Sequence, residues 1–177
     1  LIAAHLGAGP HLIVADENTW TVAGERLTES LREAGCELAE PLIFPGQPVL
    51  YASIENSVVI QEAIRAAQAT PIALGSGTIN DLVKLAAFEE GRDYACVGTA
   101  ASMDGYTGAG APMTENGVKA TRNCKAPVAV IMDLDVVAAA PPIMTASGYG
   151  DLVAKIPGGA DWILADYTGV EPIDPDV

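Results

Sequence analysis

The sequence predicts an α/β fold built on a parallel sheet with helices on both faces. Short apolar runs alternate along the chain with longer stretches in which apolar residues recur at helical spacing, and this order is typical of open parallel sheets. Glycine or Pro-Gly follows several of the runs, as expected where a strand ends. The 177 residues are enough for one substantial core.

Five apolar runs are predicted to form the strands of this sheet. The first, HLIVAD, is a short apolar run that ends in aspartate, which suits a strand buried on both faces. Pro45-Gly46 ends the second run, and glycines end the third. In chain order, the predicted strands cover 11–16, part of 36–46, 70–77, 93–99 and 128–137.

Helices are predicted between the strands. The stretch TINDLVKLAAFEEG shows helical spacing most clearly, because its apolar residues fall at i, i+3, i+4, i+7 and i+8. The predicted helices cover 18–35, 54–69 and 78–91, with further helical pieces in 141–156.

Two segments depart from this alternation. Asn116-Gly117 stands between polar, β-tolerant stretches, which predicts a β-hairpin excursion near 107–127. The last nine residues, GVEPIDPDV, contain two prolines and three acids. We therefore expect an α/β domain at 1–168 and a linker at 169–177.

Composition disfavours several classes of function. The 23 acidic and 9 basic residues give a net charge of −14, which repels phosphate backbones and argues against a nucleic-acid partner. No apolar run is long enough to insert into a membrane as a helix. The three cysteines form no CxxC pair. We expect a soluble cytoplasmic protein with reduced thiols; nothing in the sequence decides between a monomer and a homo-oligomer.

The stretch ALGSGTINDLVK is the strongest local signal for a ligand. Gly75 and Gly77 let the backbone approach a ligand closely, and the helix predicted to begin near Thr78 offers free N–H groups that suit a pyrophosphate. The dinucleotide fingerprint is not met, because Asn80 occupies the third glycine position, and Lys84 is misplaced for a Walker motif. Phosphate binding and a simple tight turn therefore stand as equal alternatives.

Aspartates follow two of the predicted strands. Asp16 ends the first strand, where it would bind a cofactor ribose or cap the next helix. After the fourth strand, Thr99 and Ser102 offer hydroxyl groups to the expected crevice. Asp104 follows them and either orients a substrate hydroxyl or is an ordinary turn residue before glycine.

A third aspartate lies in the string SGYGDLVAK. Gly148 and Gly150 predict a tight turn there, with the helical pattern resuming at Asp151. From these residues alone, Asp151 is a helix cap or a ligand-binding residue.

Several motifs taken together resemble one family. The strings GSGTINDLVK, GTAASMDGYTG, GVKAT, APVAVIMDLDVV and ASGYGDLVAK are similar to those of the sn-glycerol-1-phosphate dehydrogenases. These enzymes belong to the group that includes iron-containing alcohol dehydrogenases, glycerol dehydrogenase and dehydroquinate synthase. The motifs span 70–155, and the combination of SMDGY with SGYGDLVAK is the specific part of the signal.

The resemblance implies a Rossmann-like nucleotide-binding domain followed by a helical domain, with the active site between them. NAD(H) or NADP(H) would supply the hydride. One divalent metal, zinc or else nickel or iron, would polarise the carbonyl of a small phosphorylated substrate, dihydroxyacetone phosphate.

The resemblance also assigns roles to particular residues. Those that correspond to the pyrophosphate loop are Gly75, Ser76, Gly77, Thr78 and Ile79. Those that correspond to further cofactor contacts are Thr99, Ala100, Ala101 and Ser102. Asp104 corresponds to a catalytic aspartate that contacts substrate, and Asp151 to the catalytic aspartate that binds the metal.

The family's remaining metal ligands are histidines of the helical domain. His5 and His11 are the only histidines here, and they lie at the wrong end of the chain. We therefore expect the helical domain to be missing and the chain alone to be inactive. The leading hypothesis is the nucleotide-binding domain of a glycerol-1-phosphate dehydrogenase. The alternatives are glycerol dehydrogenase, a dehydroquinate synthase-like enzyme, and a nucleotide-binding module without catalysis.

Overall fold

The structure, a computed structural model, describes residues 1–7 and 9–174. The strands are β1 (His11–Asp16), β2 (Leu42–Phe44), β3 (Thr70–Gly75), β4 (Ala95–Gly98), β5 (Gly110–Glu115), β6 (Val118–Asn123) and β7 (Ala129–Met132). The helices are α1 (Ile2–Leu6), α2 (Glu17–Glu33), α3 (Ile54–Ala67), α4 (Gly77–Glu89), α5 (Leu134–Ala139), α6 (Pro142–Val153) and α7 (Lys155–Tyr167).

The predicted fold class is confirmed. Five strands form one sheet in the order β2-β1-β3-β4-β7, and every neighbouring pair is parallel. The hairpin is also confirmed, as an antiparallel pair of β5 and β6. Asn116 and Gly117 make its turn with φ values of 50° and 78°, and such positive values at both central residues are the reason Asn-Gly is favoured there.

Helices cover both faces of the sheet, and the strand residues alternate between two cores. On one face Leu12 and Val14 of β1 pack with α3, α4 and the hairpin. On the other face Ile13 and Ala15 pack with α1, α2 and α5. This burial on both sides explains why the strands read as continuous apolar runs.

The last strand is shorter than predicted. A strand over 128–137 was expected, but β7 ends at Met132 and the chain then forms α5. Asp133 is the reason, because its side-chain Oδ1 accepts hydrogen bonds from the backbone N–H groups of Asp135 and Val136 and so caps the helix.

The prediction of a tight turn at Gly148 and Gly150 is wrong. Both glycines lie inside α6, and so does Asp151, which therefore does not cap a helix. The reason for Gly148 is packing. A Cβ built at this position would lie within 3.0 Å of the carbonyl oxygen of Ala101, closer than real Cβ atoms come. Glycine is needed there for close approach rather than for a turn.

A buried ion pair joins α4 to the hairpin. Lys84 is 1% exposed, and its Nζ donates to Asp81 Oδ1 at 3.2 Å and to the carbonyl oxygen of Gly110 at 2.8 Å. Burial raises the pKa of Asp81, and the neighbouring Lys84 ammonium opposes that rise. The pair thus fixes the start of β5 against α4.

Helix α7 ends at Tyr167, and the domain boundary expected after residue 168 stays a prediction. Residues 169–174 form no helix or strand, and 175–177 of the expected linker lie outside the described residues. Within the described part of the chain, no helix has the length and apolar character needed to cross a membrane. No residue of α6 or α7 is fully buried, although Met144 and Trp162 are partly buried.

The Lys84 pair predicts a large stability change. Lys84→Met leaves the Asp81 carboxylate buried without a cation, so we expect the free energy of unfolding to fall by about 3–5 kcal/mol. The double variant Asp81→Leu/Lys84→Met removes that stranded charge and should recover a large part of the loss. Urea unfolding of the three proteins measures this. A loss below about 0.5 kcal/mol in the single variant would contradict the ion-pair account.

The two glycines of α6 give a prediction with a matched control. Gly148→Ala forces α6 away from Ala101, so we expect the free energy of unfolding to fall by about 1–3 kcal/mol. A Cβ at Gly150 meets nothing within 4 Å, so Gly150→Ala should raise it by about 0.5–1 kcal/mol, as expected for a helix interior. Equal changes in the two variants would show that α6 does not pack on this loop.

Candidate functional site

The predicted site residues that follow strands lie along one edge of the sheet. Because the strands are parallel, the carboxyl ends of β1, β3 and β4 face the same side. The chain leaves β1 toward β2 on one side and leaves β3 toward β4 on the other. Open α/β sheets bind ligands at such a switch point, which here lies between β1 and β3.

The loop after β3 is built around two glycines that cannot be replaced without movement. A Cβ on Gly75 would lie 2.7 Å from the Cβ of Ile79, and one on Gly77 would lie 2.8 Å from the Sδ of Met103. The backbone therefore passes close to its own helix and to the loop after β4.

The start of α4 has no side-chain acceptor for its free N–H groups. Ser76 is the N-cap residue, but its side chain makes no capping hydrogen bond, and no acidic residue stands in the first turn. The first N–H groups of a helix have no partner inside the helix. Such N–H groups, at the positive end of the helix dipole, fit a phosphate.

Asp16 caps α2. Its Oδ1 accepts a hydrogen bond from the backbone N–H of Thr19 at 2.8 Å, and the Thr19 hydroxyl accepts one from the backbone N–H of Asp16 at 3.1 Å. The structure thus shows the capping alternative. The Oδ2 atom takes no part in the cap, so the ribose role of Asp16 stays a prediction.

The loop after β4 is held by hydrogen bonds at both of its ends. The backbone N–H of Thr99 donates to the carbonyl oxygen of Gly75 at 3.2 Å, which ties this loop to the end of β3. The buried Tyr106 hydroxyl donates to the carbonyl oxygen of Ala100 at 2.6 Å and lies 3.5 Å from the Ser102 hydroxyl. Burial raises the pKa of Tyr106, which keeps the hydroxyl protonated as a donor.

The two aspartates predicted to be catalytic meet in the structure. The backbone N–H of Asp104 donates to Asp151 Oδ2 at 2.9 Å, although the residues are 47 positions apart. The contact joins the loop after β4 to α6, next to the close approach of Gly148 and Ala101. The structure therefore brings together two residues that the sequence suggested separately.

Asp151 is suited to bind a cation. The hydrogen bond from the Asp104 backbone is the main cause of a lowered pKa at Asp151, so its carboxylate is ionised at neutral pH. This bond uses Oδ2 and not Oδ1, so the metal role predicted for Asp151 falls to Oδ1 and stays a prediction. Within 1–7 and 9–174, no three His, Cys, Asp or Glu side chains form a group that would hold a metal by themselves.

Two residues of the site were missed by the sequence reasoning. Lys155 lies with its Nζ 3.2 Å from Asp104 Oδ2 and 4.0 Å from Asp151 Oδ1. Its spacing of four residues from Asp151 in a helical stretch was the available signal. Tyr106 was the other, and nothing in the sequence indicated that its hydroxyl would hold the loop.

A separate cavity of about 240 Å³ lies on the opposite face of the sheet from α4. It is lined by residues of α1, α2 and α5 and by the ends of β4 and β7, and Thr99 is the one predicted cofactor contact among them. The loop 75–79 does not line it. The cavity is therefore distinct from the crevice at the start of α4.

Known proteins resemble this chain in sequence. The sequence model of the family described as iron-containing alcohol dehydrogenase matches residues 1–141. A glycerol-1-phosphate dehydrogenase [NAD(P)+] from Bacillus velezensis is 39% identical over 163 residues, which cover 91% of this chain and 41% of the relative. The enzyme of the same name from Bacillus subtilis is 40% identical over 166 residues, covering 93% and 42%.

Solved structures share the fold. Glycerol dehydrogenase from Schizosaccharomyces pombe matches with a TM-score of 0.67 at 21% identity, covering 86% of this chain and 38% of that one. Maleylacetate reductase from Rhizobium sp. strain MTP-10005 matches with a TM-score of 0.67 at 24% identity, covering 81% and 39%.

The match covers only part of the length of each relative. This chain spans about two fifths of their length, 41% and 42% for the two Bacillus enzymes. The same matches cover 91% and 93% of this chain, and the family model spans 141 of its 177 residues. The chain belongs to the iron-containing alcohol dehydrogenase family.

Proposed function

We propose that the complete protein containing this chain is a metal-dependent, NAD(P)-linked dehydrogenase that interconverts dihydroxyacetone phosphate and sn-glycerol 1-phosphate. Residues 1–168 form its nucleotide-binding part, and 169–177 lead toward a helical domain. The observation that carries the proposal is the contact between Asp104 and Asp151 at the loop that packs against the uncapped start of α4. The names of the Bacillus relatives support the substrate.

The loop 75–79 binds the pyrophosphate of the cofactor in this proposal. The unpaired N–H groups at the start of α4 would donate to its oxygens, and Gly75 and Gly77 allow the approach. Residues 99–102 form the neighbouring wall, held in place by Tyr106. When bound, the nicotinamide supplies or accepts the hydride. Asp16 faces the ribose and repels a 2′-phosphate, which favours NAD over NADP.

Asp151 and Asp104 serve the substrate end of the crevice. Asp151 Oδ1 is the metal ligand that this chain contributes, and its Oδ2 is fixed by the Asp104 backbone. Asp104 then orients a substrate hydroxyl with its carboxylate. When bound there, a divalent ion would supply a Lewis acid for the substrate carbonyl. Catalytic sites of this kind use about three protein ligands, so the others come from outside this chain, which is inactive alone.

The same proposal places the enzyme in the cytoplasm. Cys36, Cys96 and Cys124 are free thiols, as in proteins of reducing compartments. Burial raises the pKa of Cys96 to about 12, which keeps this thiol neutral and unreactive.

The second candidate is a dehydrogenase for unphosphorylated glycerol, because one of the matching solved structures is a glycerol dehydrogenase. Its substrate lacks the dianionic phosphate. Comparing dihydroxyacetone phosphate with dihydroxyacetone as substrates of the complete enzyme separates the two candidates, and preference for dihydroxyacetone would favour the second.

The activity itself gives a direct prediction. The complete protein should oxidise NADH with dihydroxyacetone phosphate, lose activity on treatment with a chelator, and recover it with zinc, nickel or iron. Asp151→Asn removes the anionic oxygen ligand and should lower kcat/KM by at least about 10³-fold without metal rescue. Absorbance at 340 nm measures the reaction.

Three comparisons complete this experiment. Asp93→Asn changes an exposed carboxylate that pairs with Lys125 away from the site, and it should leave activity unchanged. The 177-residue chain with zinc or nickel should show no turnover. Undiminished activity of Asp151→Asn would contradict the metal role, and a higher kcat/KM with NADPH would overturn the role given to Asp16.

A further inference from the structure

Lys155 is the cation of the candidate site. Its ammonium lies 3.2 Å from Asp104 Oδ2 and 4.0 Å from Asp151 Oδ1, and its side chain is 62% exposed. Lys155 begins α7, directly after Ala154 separates that helix from α6. The side chain thus reaches back over the two carboxylates while its outer side faces solvent.

The other basic side chains that form ion pairs are engaged elsewhere. Lys84 is buried with Asp81, and the remaining pairs are on the surface. Those surface pairs are Arg26–Asp133, Arg65–Glu90, Arg122–Glu115 and Lys125–Asp93. Among the ion pairs within the described residues, Lys155 is the one basic side chain that contacts Asp104 or Asp151.

Stability does not explain this arrangement. The pair of Lys155 with Asp104 is solvent-exposed on both sides, at 62% and 33%, and exposed ion pairs contribute little to folding. The i, i+4 pair with Asp151 is longer, at 4.0 Å. Lys155 is therefore free to exchange a carboxylate partner for a ligand at little cost.

A phosphorylated substrate needs such a cation. A phosphate dianion that approaches Asp104 and Asp151 in a chain of net charge −14 meets unfavourable charge. A lysine ammonium carries three donors, and the contact with Asp104 leaves donors available on the exposed side. A charged hydrogen bond between ammonium and phosphate oxygen is among the stronger polar contacts.

We propose that Lys155 binds the phosphate group of the substrate and thereby sets the preference for a phosphorylated over an unphosphorylated three-carbon ketone. The inference rests on the proposed function, because it names the group that recognises the phosphate in that site. Asp104 holds the ammonium in place before the substrate arrives, and the phosphate then takes over part of its hydrogen bonding.

Kinetics of the complete enzyme test the specificity. Lys155→Met should lower kcat/KM for dihydroxyacetone phosphate by about 10–100-fold, as expected for loss of a charged hydrogen bond. It should change kcat/KM for dihydroxyacetone by no more than about threefold. Lys155→Arg keeps the charge and should retain most of the preference. Equal losses with both substrates, or an unchanged ratio, would overturn the proposal.

Binding of inorganic phosphate provides a readout that does not need turnover. Calorimetric titration of the complete protein saturated with NAD, which fills the start of α4, should give a dissociation constant about tenfold or more higher in Lys155→Met. The matched control is Lys125→Met, whose lysine pairs with Asp93 on the surface and should not change phosphate binding. Equal affinity in wild type and Lys155→Met would refute the role of Lys155, whereas an inactive wild type with intact phosphate binding would refute the proposed reaction alone.

Discussion

The candidate site depends on one close approach, that of α6 to the loop after β4. Gly148 has no side chain, so the helix backbone comes within contact of the Ala101 carbonyl. Three residues further along α6, Asp151 then accepts the hydrogen bond of the Asp104 backbone. A helix with no fully buried residue is thereby positioned by backbone packing and one charged hydrogen bond. Any larger residue at 148 would separate the two carboxylates that the proposed chemistry needs together.

The sheet and its edge could be predicted from the sequence because strands that are buried on both faces appear as continuous apolar runs. The apolar runs of β1, β3 and β4, the helical spacing of α4 and the Asn116-Gly117 turn all reflect local preferences, and all were found where expected. The two errors had different causes, one a nonlocal contact and the other a local helix cap. Gly148 looked like a turn residue, although its partner Ala101 is far away in the sequence. The strand expected over 128–137 was cut short by a cap that Asp133 makes with its own backbone neighbours.

Charge distinguishes the parts of the site. The start of α4 offers backbone N–H groups without an acidic neighbour in its first turn, whereas the Asp104–Asp151 contact is anionic and carries Lys155 as its cation. A nucleotide phosphate needs hydrogen-bond donors without negative charge nearby, whereas a metal ion needs anionic oxygen ligands. The two regions provide these surroundings separately. The hydrogen bond from Thr99 to Gly75 keeps the regions at a fixed separation. The buried Lys84–Asp81 pair braces α4 against the hairpin beyond them.

The central claim is that the loop after β3 and the Asp104–Asp151 contact belong to one catalytic crevice. A crystal structure of the complete protein with zinc and NADH, with anomalous scattering recorded at the zinc edge, tests it most directly. The account predicts a zinc peak about 2.0–2.2 Å from the Asp151 carboxylate and the cofactor pyrophosphate on the N–H groups at the start of α4. Zinc bound away from Asp151, or a pyrophosphate in the cavity lined by α1, α2 and α5, would contradict it.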